Sequence, residues 1–290
     1  MNPPALVVTG ASGLIGAALG AVETITPLPR GAQGPLSWEP LEGRVHDDGR
    51  LIGGVVHLAG EPIADARWTE ARKRLLHDSR VLGTRTIAAW LAGRNQRPAV
   101  LVTASGVGFY GERGDEELTE SSPVGAGFLA GLSAEWEREA QAAEAAGVRV
   151  VNLRLGVVLS RKGGALEKMR LPFKMGVGGP IGSGRQWFPW VHLDDVVAVL
   201  RWALRDPQAR GPYNVASPGI VRQKDLARAL GRAYGRPAVL PTPAFALRAA
   251  FGELADEALL ASTRAVPRRL LDAGFRFQHT DLDQALQTVV

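Results

Sequence analysis

Short apolar runs alternate with longer segments of helical periodicity through the first half of the chain. The runs are rich in Val and Leu, and several lead into small residues, which is typical of buried strands. They predict strands over residues 5–9, 22–26, 55–58, 100–103 and 149–159, and helices over residues 14–21, 69–91 and 133–146. This alternation predicts an α/β fold, a doubly wound parallel Rossmann sheet covered on both faces.

The pattern changes after about Gly163. A glycine-rich loop at residues 176–184 leads into the segment 187–192, and mixed helices and short strands follow. This predicts a dinucleotide-binding domain at residues 1–160, to which segments near 187–215 return. Residues 161–290 then form mainly a smaller C-terminal α/β region that binds the substrate at the carboxyl edge of the sheet. One undivided domain is the alternative organisation.

Composition narrows the classes of function. The 290 residues include no cysteine, which excludes disulfides, zinc–thiolate sites and thiol catalysis. The net charge of +5 favours small anionic ligands, and nucleic acid is a poorer match because no basic stripe with interleaved aromatic residues is present. No apolar run approaches the roughly 20 residues of a membrane span, and no signal peptide is visible. We therefore expect a cytoplasmic protein without membrane or nucleic-acid partners.

The first predicted strand leads directly into three glycines spaced G-x-x-G-x-x-G. Gly10 permits a tight turn, Gly13 lets a pyrophosphate approach the backbone, and Gly16 lets the helix pack closely on the strand. The N-terminus of that helix offers N–H groups to phosphates. An ordinary glycine-rich turn is the alternative, but the strand before the loop and the helix after it favour a dinucleotide. The predicted loop comprises Gly10, Ala11, Ser12, Gly13, Leu14, Ile15 and Gly16.

Arg30 indicates which dinucleotide binds. NAD-specific sites place an acidic residue after the second strand to hold the ribose hydroxyls, whereas Glu23 comes too early and Arg30 stands there instead. A guanidinium fork suits a 2′-phosphate, although a solvated loop arginine is the alternative. We therefore predict NADP, with NAD the less favoured cofactor.

Seven segments together resemble a known subfamily. They are TGASGLIG (9–16), HLAGEPIADARW (57–68), SRVLGT (79–84), ASGVGFYG (104–111), RLGVVLSRKGGAL (154–166), PFKMGVGGPIGSGRQWFPWVHLDD (172–195) and PRRLLDAGFRF (267–277). In this order they resemble the NAD(P)-dependent epimerase/dehydratase-like group of extended short-chain dehydrogenases/reductases, over nearly the whole chain. The resemblance implies a Rossmann domain, a small substrate domain and bound NADP.

The same resemblance implies further site residues. Ser105 ends the strand that carries the usual catalytic Ser or Thr. Arg30 becomes the residue that binds the adenosine phosphate. The other implied cofactor contacts are Leu58, Ala59, Gly60, Glu61, Ser79, Arg80, Thr103 and Arg154.

The general acid/base dyad of this family, Tyr-x-x-x-Lys, is missing. Aligned on Glu137, the Tyr position falls at Leu129 and the Lys position at Ser133, and neither residue transfers a proton at neutral pH. Tyr110 is the nearby tyrosine, but it has no lysine four residues on, and a packing role is favoured. Ser105 is a candidate to orient a substrate carbonyl, with a bond to the backbone as its alternative.

His192 completes the catalytic candidates, which are therefore Ser105, Tyr110 and His192. Its side chain titrates near neutral pH, although a structural role is favoured. We predict that Asp194 and Asp195 cap the following helix, and that the scattered histidines hold no metal. Lys174 and Arg185 are predicted to form a basic rim over the pocket.

Two functions remain open from the sequence. The first is an NADP-dependent, epimerase/dehydratase-like oxidoreductase that acts on a small, anionic substrate without a Tyr–Lys dyad. The second is an NADP(H)-binding sensor or regulator without turnover. A monomer or a homodimer is expected in either case.

Overall fold

The computed structural model describes residues 3–32 and 34–290. Strands and helices are numbered in chain order. The strands are β1 (Ala5–Thr9), β2 (Thr26–Pro27), β3 (Ser37–Glu39), β4 (Arg44–His46), β5 (Ile52–His57), β6 (Val100–Gly106), β7 (Glu117–Leu118), β8 (Arg149–Leu155), β9 (Val157–Leu159), β10 (Trp187–Phe188), β11 (Trp190–His192), β12 (Gly211–Val215), β13 (Val221–Arg222) and β14 (Arg264–Ala265). The helices are α1 (Leu14–Gly20), α2 (Glu70–Gly93), α3 (Phe128–Ala145), α4 (Ala165–Lys174), α5 (Leu193–Arg205), α6 (Gln223–Tyr234), α7 (Ala244–Phe251), α8 (Arg268–Asp272) and α9 (Leu282–Val289).

A six-stranded parallel sheet forms the centre of the molecule, in the order β12-β8-β6-β5-β1-β2. Successive side chains point to opposite faces, so Val7 packs with α2 and α3 on one face while Val8 packs with α1 and α5 on the other. Both valines are fully buried, as a sheet covered on two sides requires. The predicted α/β Rossmann fold is confirmed.

The second strand was predicted too early. Residues 22–26 were expected to form it, whereas β2 is Thr26–Pro27. The N–H groups of Val22 and Glu23 donate to the carbonyl of Leu19, which holds the chain in the turn that ends α1. Pro27 lacks an N–H group and limits the pairing, so the strand is short.

The predicted strand over 149–159 is two strands that separate at Gly156. The chain leaves the central sheet there, and β9 pairs in parallel with β11 instead. A Cβ atom on Gly156 would lie 2.5 Å from the Pro189 carbonyl oxygen, so the crossing requires glycine. Beyond this point α4, α6 and α9 build a second apolar core, while β12 returns to the central sheet.

The antiparallel hairpin β3–β4 was not predicted. It places the buried Trp38 against α2 and His57. In the described ranges, no helix combines the length and the apolar character that crossing a membrane requires.

Candidate functional site

A cleft of about 520 Å³ lies at the carboxyl ends of the central strands. This edge is where doubly wound sheets bind ligands. The glycine loop lines one end, the end of β6 and helix α3 line the middle, and segments from the second half of the chain line the other end. The lining includes Gly10, Gly13, Leu14, Ile15, Gly16, Leu58, Arg80, Ser105, Gly108, Leu129, Leu132, Ser133, Trp136, Val157, Met169, Gln186, Trp187, Phe188, Gln223, Glu257, Ala258, Leu259 and Thr263.

The glycine loop has almost no room for side chains. A Cβ atom on Gly10, which has a φ of +67°, would lie 2.9 Å from the Ala59 nitrogen, and one on Gly16 would lie 2.3 Å from the Gly10 oxygen. Gly13 is the N-cap of α1, and no side chain caps that helix. The N–H groups of its first turn therefore remain available to an anion in the cleft. Ala11 and Ser12 belong to the loop but are not among the lining residues.

Thr9 and His57 fix the turn that follows β5. The Thr9 hydroxyl oxygen accepts from the N–H groups of Leu58 and Ala59, at 3.2 and 3.3 Å, so its own hydrogen points to His57 Nδ1, 2.7 Å away. His57 therefore carries its proton on Nε2, next to the Trp38 ring. Complete burial lowers the pKa of His57 to about 3, so the ring is neutral at physiological pH.

Ser79 and Arg80 hold the outer part of the same turn. The Ser79 hydroxyl accepts from the Glu61 N–H group at 3.1 Å, and Arg80 Nη2 donates to the Glu61 carbonyl at 2.8 Å. The Arg80 guanidinium also contacts Gly60 and stacks on the Trp136 ring at 5.3 Å. Burial lowers the pKa of Arg80 to about 10, which leaves it a cation. Leu58 and Arg80 line the cleft, whereas Ala59, Gly60, Glu61 and Ser79 support it from behind.

Two arginines share one carboxylate beside this turn. Arg30 Nη1 lies 3.5 Å from Glu61 Oε1, and Arg72 Nη1 lies 3.4 Å from Glu61 Oε2. Arg30 and Arg72 are not among the lining residues of the cleft, but the side chain of Arg30 is half exposed, so it is accessible to a ligand. Sequence reasoning identified Arg30 and Glu61 but missed Arg72, which approaches them only through the fold.

A buried chain of hydrogen bonds begins at Ser105. The Ser105 hydroxyl donates to Glu137 Oε1 at 2.9 Å, and Arg154 binds both carboxylate oxygens of Glu137 at 2.8 Å. Arg154 also donates to the Tyr110 hydroxyl at 2.9 Å, which in turn donates to Asn214 at 2.7 Å. Burial alone would lower the pKa of Arg154, but the Glu137 carboxylate outweighs it and raises that pKa. Burial also raises the pKa of Tyr110.

Of this network, only Ser105 reaches the cleft. Tyr110 and Arg154 lie behind the lining, and Thr103, predicted to contact the cofactor, donates to Asn152 at 2.7 Å inside the sheet. Because the Ser105 hydrogen points to a carboxylate, its oxygen offers only lone pairs to the cleft.

Leu129 and Ser133 both line the cleft next to Ser105. Among the lining residues of the described chain, Arg80 and Glu257 are the ionisable ones, and none is Tyr, Lys or His. The Glu257 carboxylate accepts from the N–H groups of Phe128 and Leu129, each at 2.7 Å, at the start of α3. Sequence reasoning missed Glu257, because no local motif marks it.

His192 lies away from the cleft. Its Nδ1 accepts from the Asp194 N–H group at 3.1 Å, so His192 caps α5, and its ring stacks on His279 at 3.7 Å. Burial, and then the His279 charge, lower the pKa of His192. Asp194 and Asp195 lie in the first turn of α5, where the helix dipole favours carboxylates, but the prediction that they cap the helix is wrong. His192 is the cap, and Asp195 accepts from the N–H groups of Gln278 and His279.

The loop over the cleft also differs from the predicted basic rim. Lys174 and Arg185 are exposed and are not among the lining residues.

His192, Asp194 and His279 bring possible metal-ligand atoms within 4.8 Å of one another, a grouping that the sequence spacing did not indicate. The His192 Nδ1 lone pair in that group is already occupied by the Asp194 N–H group.

The chain is similar to known proteins in both sequence and structure. Residues 45–216 match the family described as the NAD dependent epimerase/dehydratase family, and residues 242–289 match a domain of unknown function, DUF1731. An epimerase family protein of Mycobacterium tuberculosis is 41% identical over 97% of this chain and 96% of its own length. The epimerase family protein SDR39U1 of Bos taurus is 38% identical over 98% of this chain and 99% of its own length. The crystal structure of human SDR39U1 with NADPH has a TM-score of 0.88 at 33% identity, covering 98% of each chain.

Proposed function

The chain belongs to the NAD-dependent epimerase/dehydratase family, and from this premise we propose that it is an NADP(H)-binding, epimerase/dehydratase-like oxidoreductase of a small molecule. One observation carries the proposal. A single cleft connects the N-terminus of α1, where a phosphate can bind, with Ser105 at the end of β6. Cofactor and substrate can therefore meet inside it.

The residues at the nucleotide end fit NADP(H). Gly13 leaves space in front of uncapped N–H groups, which suits a pyrophosphate. Arg30, with Arg72 beside it, supplies guanidinium groups for a 2′-phosphate. The NADPH in the human relative's crystal structure supports the same assignment. Bound NADP(H) would supply hydride transfer to or from a substrate carbon.

Proton handling in this cleft differs from that of a Tyr–Lys enzyme. With Leu129 and Ser133 at the dyad positions, we propose that Ser105 orients a substrate hydroxyl by accepting a hydrogen bond from it. When the carbon that bears this hydroxyl gives up a hydride to bound NADP+, water would take the released proton. Glu137, fixed by Arg154, keeps the Ser105 hydroxyl in that orientation. Tyr110 and His192 then have structural roles, and no tyrosine titration should govern the rate.

A sensor that holds NADP(H) without turnover is the second candidate. The observation that favours it is the absence of Tyr, Lys and His from the lining, as far as the described residues go. Such a protein would use NADPH binding to change its affinity for a partner. Whether it acts as a monomer or a homodimer stays a prediction.

One experiment separates the two candidates. The protein is loaded with NADP+ in one series and with NADPH in another and incubated with fractions of a metabolite extract, while the absorbance of the reduced nicotinamide is followed. An oxidoreductase should reduce its NADP+ or oxidise its NADPH in at least one fraction, and Ser105→Ala should slow that reaction without weakening cofactor binding. Tight cofactor binding with no change in the absorbance of the reduced nicotinamide in either series would reject a net oxidation or reduction and favour the sensor.

A further inference from the structure

The charges that line the cleft are distributed unevenly. Arg80, the cation, belongs to the nucleotide end, and its two Nη atoms donate to the carbonyls of Leu76 and Glu61. Glu257, the anion, lies on the far side, against the start of α3. The substrate end, as far as the described residues form it, therefore has a carboxylate and no lysine or arginine.

Several neutral groups near Glu257 also have their hydrogens occupied. The Thr263 hydroxyl donates to the Gly111 carbonyl at 3.1 Å, and the Gln186 amide donates to the carbonyls of Ile181 and Leu259 at 3.1 and 3.2 Å. Like Ser105, these side chains offer oxygen lone pairs to a ligand. Gln223 is an exception, because its oxygen accepts from the Ile181 N–H group and its amide hydrogens remain available.

Glu257 is held in a fixed position. Gly127, with a φ of +105°, precedes α3, and a Cβ atom there would lie 2.7 Å from Glu257 Oε1, so the approach of the carboxylate requires glycine. Two backbone N–H groups and the positive end of an 18-residue helix stabilise its negative charge. Each carboxylate oxygen keeps a further lone pair for a ligand.

The remaining walls at this end are apolar. They are formed by Leu129, Leu132, Val157, Met169, Trp187, Phe188, Ala258 and Leu259. Such walls suit an apolar ligand body, with a few polar groups to fix its orientation. A buried anion would face the Glu257 carboxylate without a compensating cation, which is unfavourable.

We infer that the substrate is an uncharged or cationic, largely apolar molecule that donates a hydrogen bond from a hydroxyl or ammonium group to Glu257. This inference rests on the proposed function for the statement that this end of the cleft receives the substrate. It replaces the anionic substrate that the net charge of the chain suggested. It also gives the segment around Glu257, within the domain of unknown function at residues 242–289, a role in substrate selection.

The test uses three probes that each have a phenyl ring and one small polar group. They are benzylamine, which is protonated at neutral pH, benzyl alcohol and benzoate. Their dissociation constants are measured by saturation-transfer NMR for the full-length protein, with and without NADPH. Benzylamine should bind at least about tenfold more tightly than benzoate, with benzyl alcohol between them, and added salt should reduce this ratio. The salt dependence tests the charge preference in the unmodified protein.

Two variants test whether Glu257 causes the preference for benzylamine over benzoate. Glu257→Gln should remove most of the preference for benzylamine. Asp256→Asn is the matched control, because the Asp256 side chain pairs with Arg248 outside the lining, and it should keep the preference. Thermal unfolding checks that both variants are folded.

Equal or tighter binding of benzoate, no binding of any probe, or an unchanged ratio in Glu257→Gln would overturn the inference. Calorimetric titration of NADPH into the same samples is a separate readout. Failure to bind NADPH would reject the proposed function, whereas the probe ratios of the cofactor-free protein would still test the charge preference.

Discussion

The two ends of the cleft are built in different ways. At the nucleotide end, one short stretch of the chain, the glycine loop, supplies Gly10 and Gly13 to Gly16, and Leu58 and Arg80 complete the lining. At the substrate end, the surface is made of side chains from α3, residues 186–189, Gln223 and residues 257–263. Local sequence therefore determines the first end, whereas tertiary packing determines the second.

The two ends also differ in what holds them in place. The glycine loop needs the absence of Cβ atoms and one internal hydrogen bond, from the Gly13 N–H group to the Gly10 carbonyl at 3.0 Å. Ser105 depends on a buried ion pair, Glu137–Arg154, which other elements must shield from water. Substitutions at the nucleotide end should therefore mainly weaken ligand binding, whereas substitutions near Ser105 should mainly lower the free energy of unfolding.

The largest effect is expected for Glu137→Ala. It leaves the Arg154 guanidinium buried without a carboxylate to balance its charge, which should lower the free energy of unfolding by about 3–5 kcal/mol. Urea unfolding measures this change. Glu139→Ala is the control on the same helix, where the partner Arg85 is exposed, and it should cost about 1 kcal/mol or less. Equal losses of unfolding free energy in the two variants would show that the buried ion pair contributes no more than the exposed one.

The next largest effect is expected for Gly13→Val. The side chain would fill the space in front of the α1 N-terminus, so NADPH affinity should fall at least about 100-fold, or about 2.7 kcal/mol. The chain should stay folded, because a Cβ atom there meets only one other atom, the Gly10 oxygen at 3.2 Å, which needs to shift by a few tenths of an ångström. Calorimetry measures the affinity, with Gly93→Ala as the control at an open position. Normal NADPH binding by Gly13→Val would reject the loop assignment.

His57, behind the nucleotide end, makes the free energy of unfolding of the protein depend on pH. In the unfolded chain its pKa is near 6.5, whereas burial lowers it to about 3 in the folded protein. Between these values the unfolded chain binds more protons, so the folded state loses stability as the pH falls, by about 2 kcal/mol between pH 7 and pH 5. Denaturant unfolding of the protein and of His57→Gln at both pH values measures the contribution as a difference. An identical pH dependence in the two proteins would contradict it.

A smaller effect is expected for Arg30→Ala. NADPH affinity should fall roughly fivefold, or about 1 kcal/mol, because Arg30 is half exposed and shares Glu61 with Arg72. NADH affinity should not change, since NADH has no 2′-phosphate. Arg44→Ala, at an exposed arginine of the β3–β4 hairpin, is the control. Equal or tighter binding of NADH by the unmodified protein would refute the NADP preference.

Prediction from sequence worked where the cause was local. The glycine spacing and the short Val-rich runs predicted the loop and the parallel sheet, because turn geometry and burial on two faces restrict residue type directly. The second strand was placed too early and the division at Gly156 was missed, because a helix end and the approach of Pro189 decide them. The two strands of the β3–β4 hairpin have three residues each, too few to show a clear alternation of apolar and polar positions.

The substrate end was less predictable for the same reason. Glu257 lies more than a hundred residues from the backbone N–H groups that it binds, and Arg72 approaches Glu61 only when α2 packs beside the turn. Ser105 was identified by resemblance, but its orientation follows from Glu137, which the sequence does not reveal as a partner. The assignments of Ser105 and of the cofactor contacts stay predictions until ligand binding is measured.

The order of the lining residues along the chain has a consequence for synthesis. The strands that carry the glycine loop, the turn after β5 and Ser105 are complete by Gly106, whereas Glu257 follows about 150 residues later. At roughly 5–20 residues per second, a ribosome needs about 8–30 s to make the intervening chain. During that interval the residues of the nucleotide end have been synthesised, whereas those of the far wall have not. A dinucleotide that binds the growing chain would enter from the side that the last segment later covers.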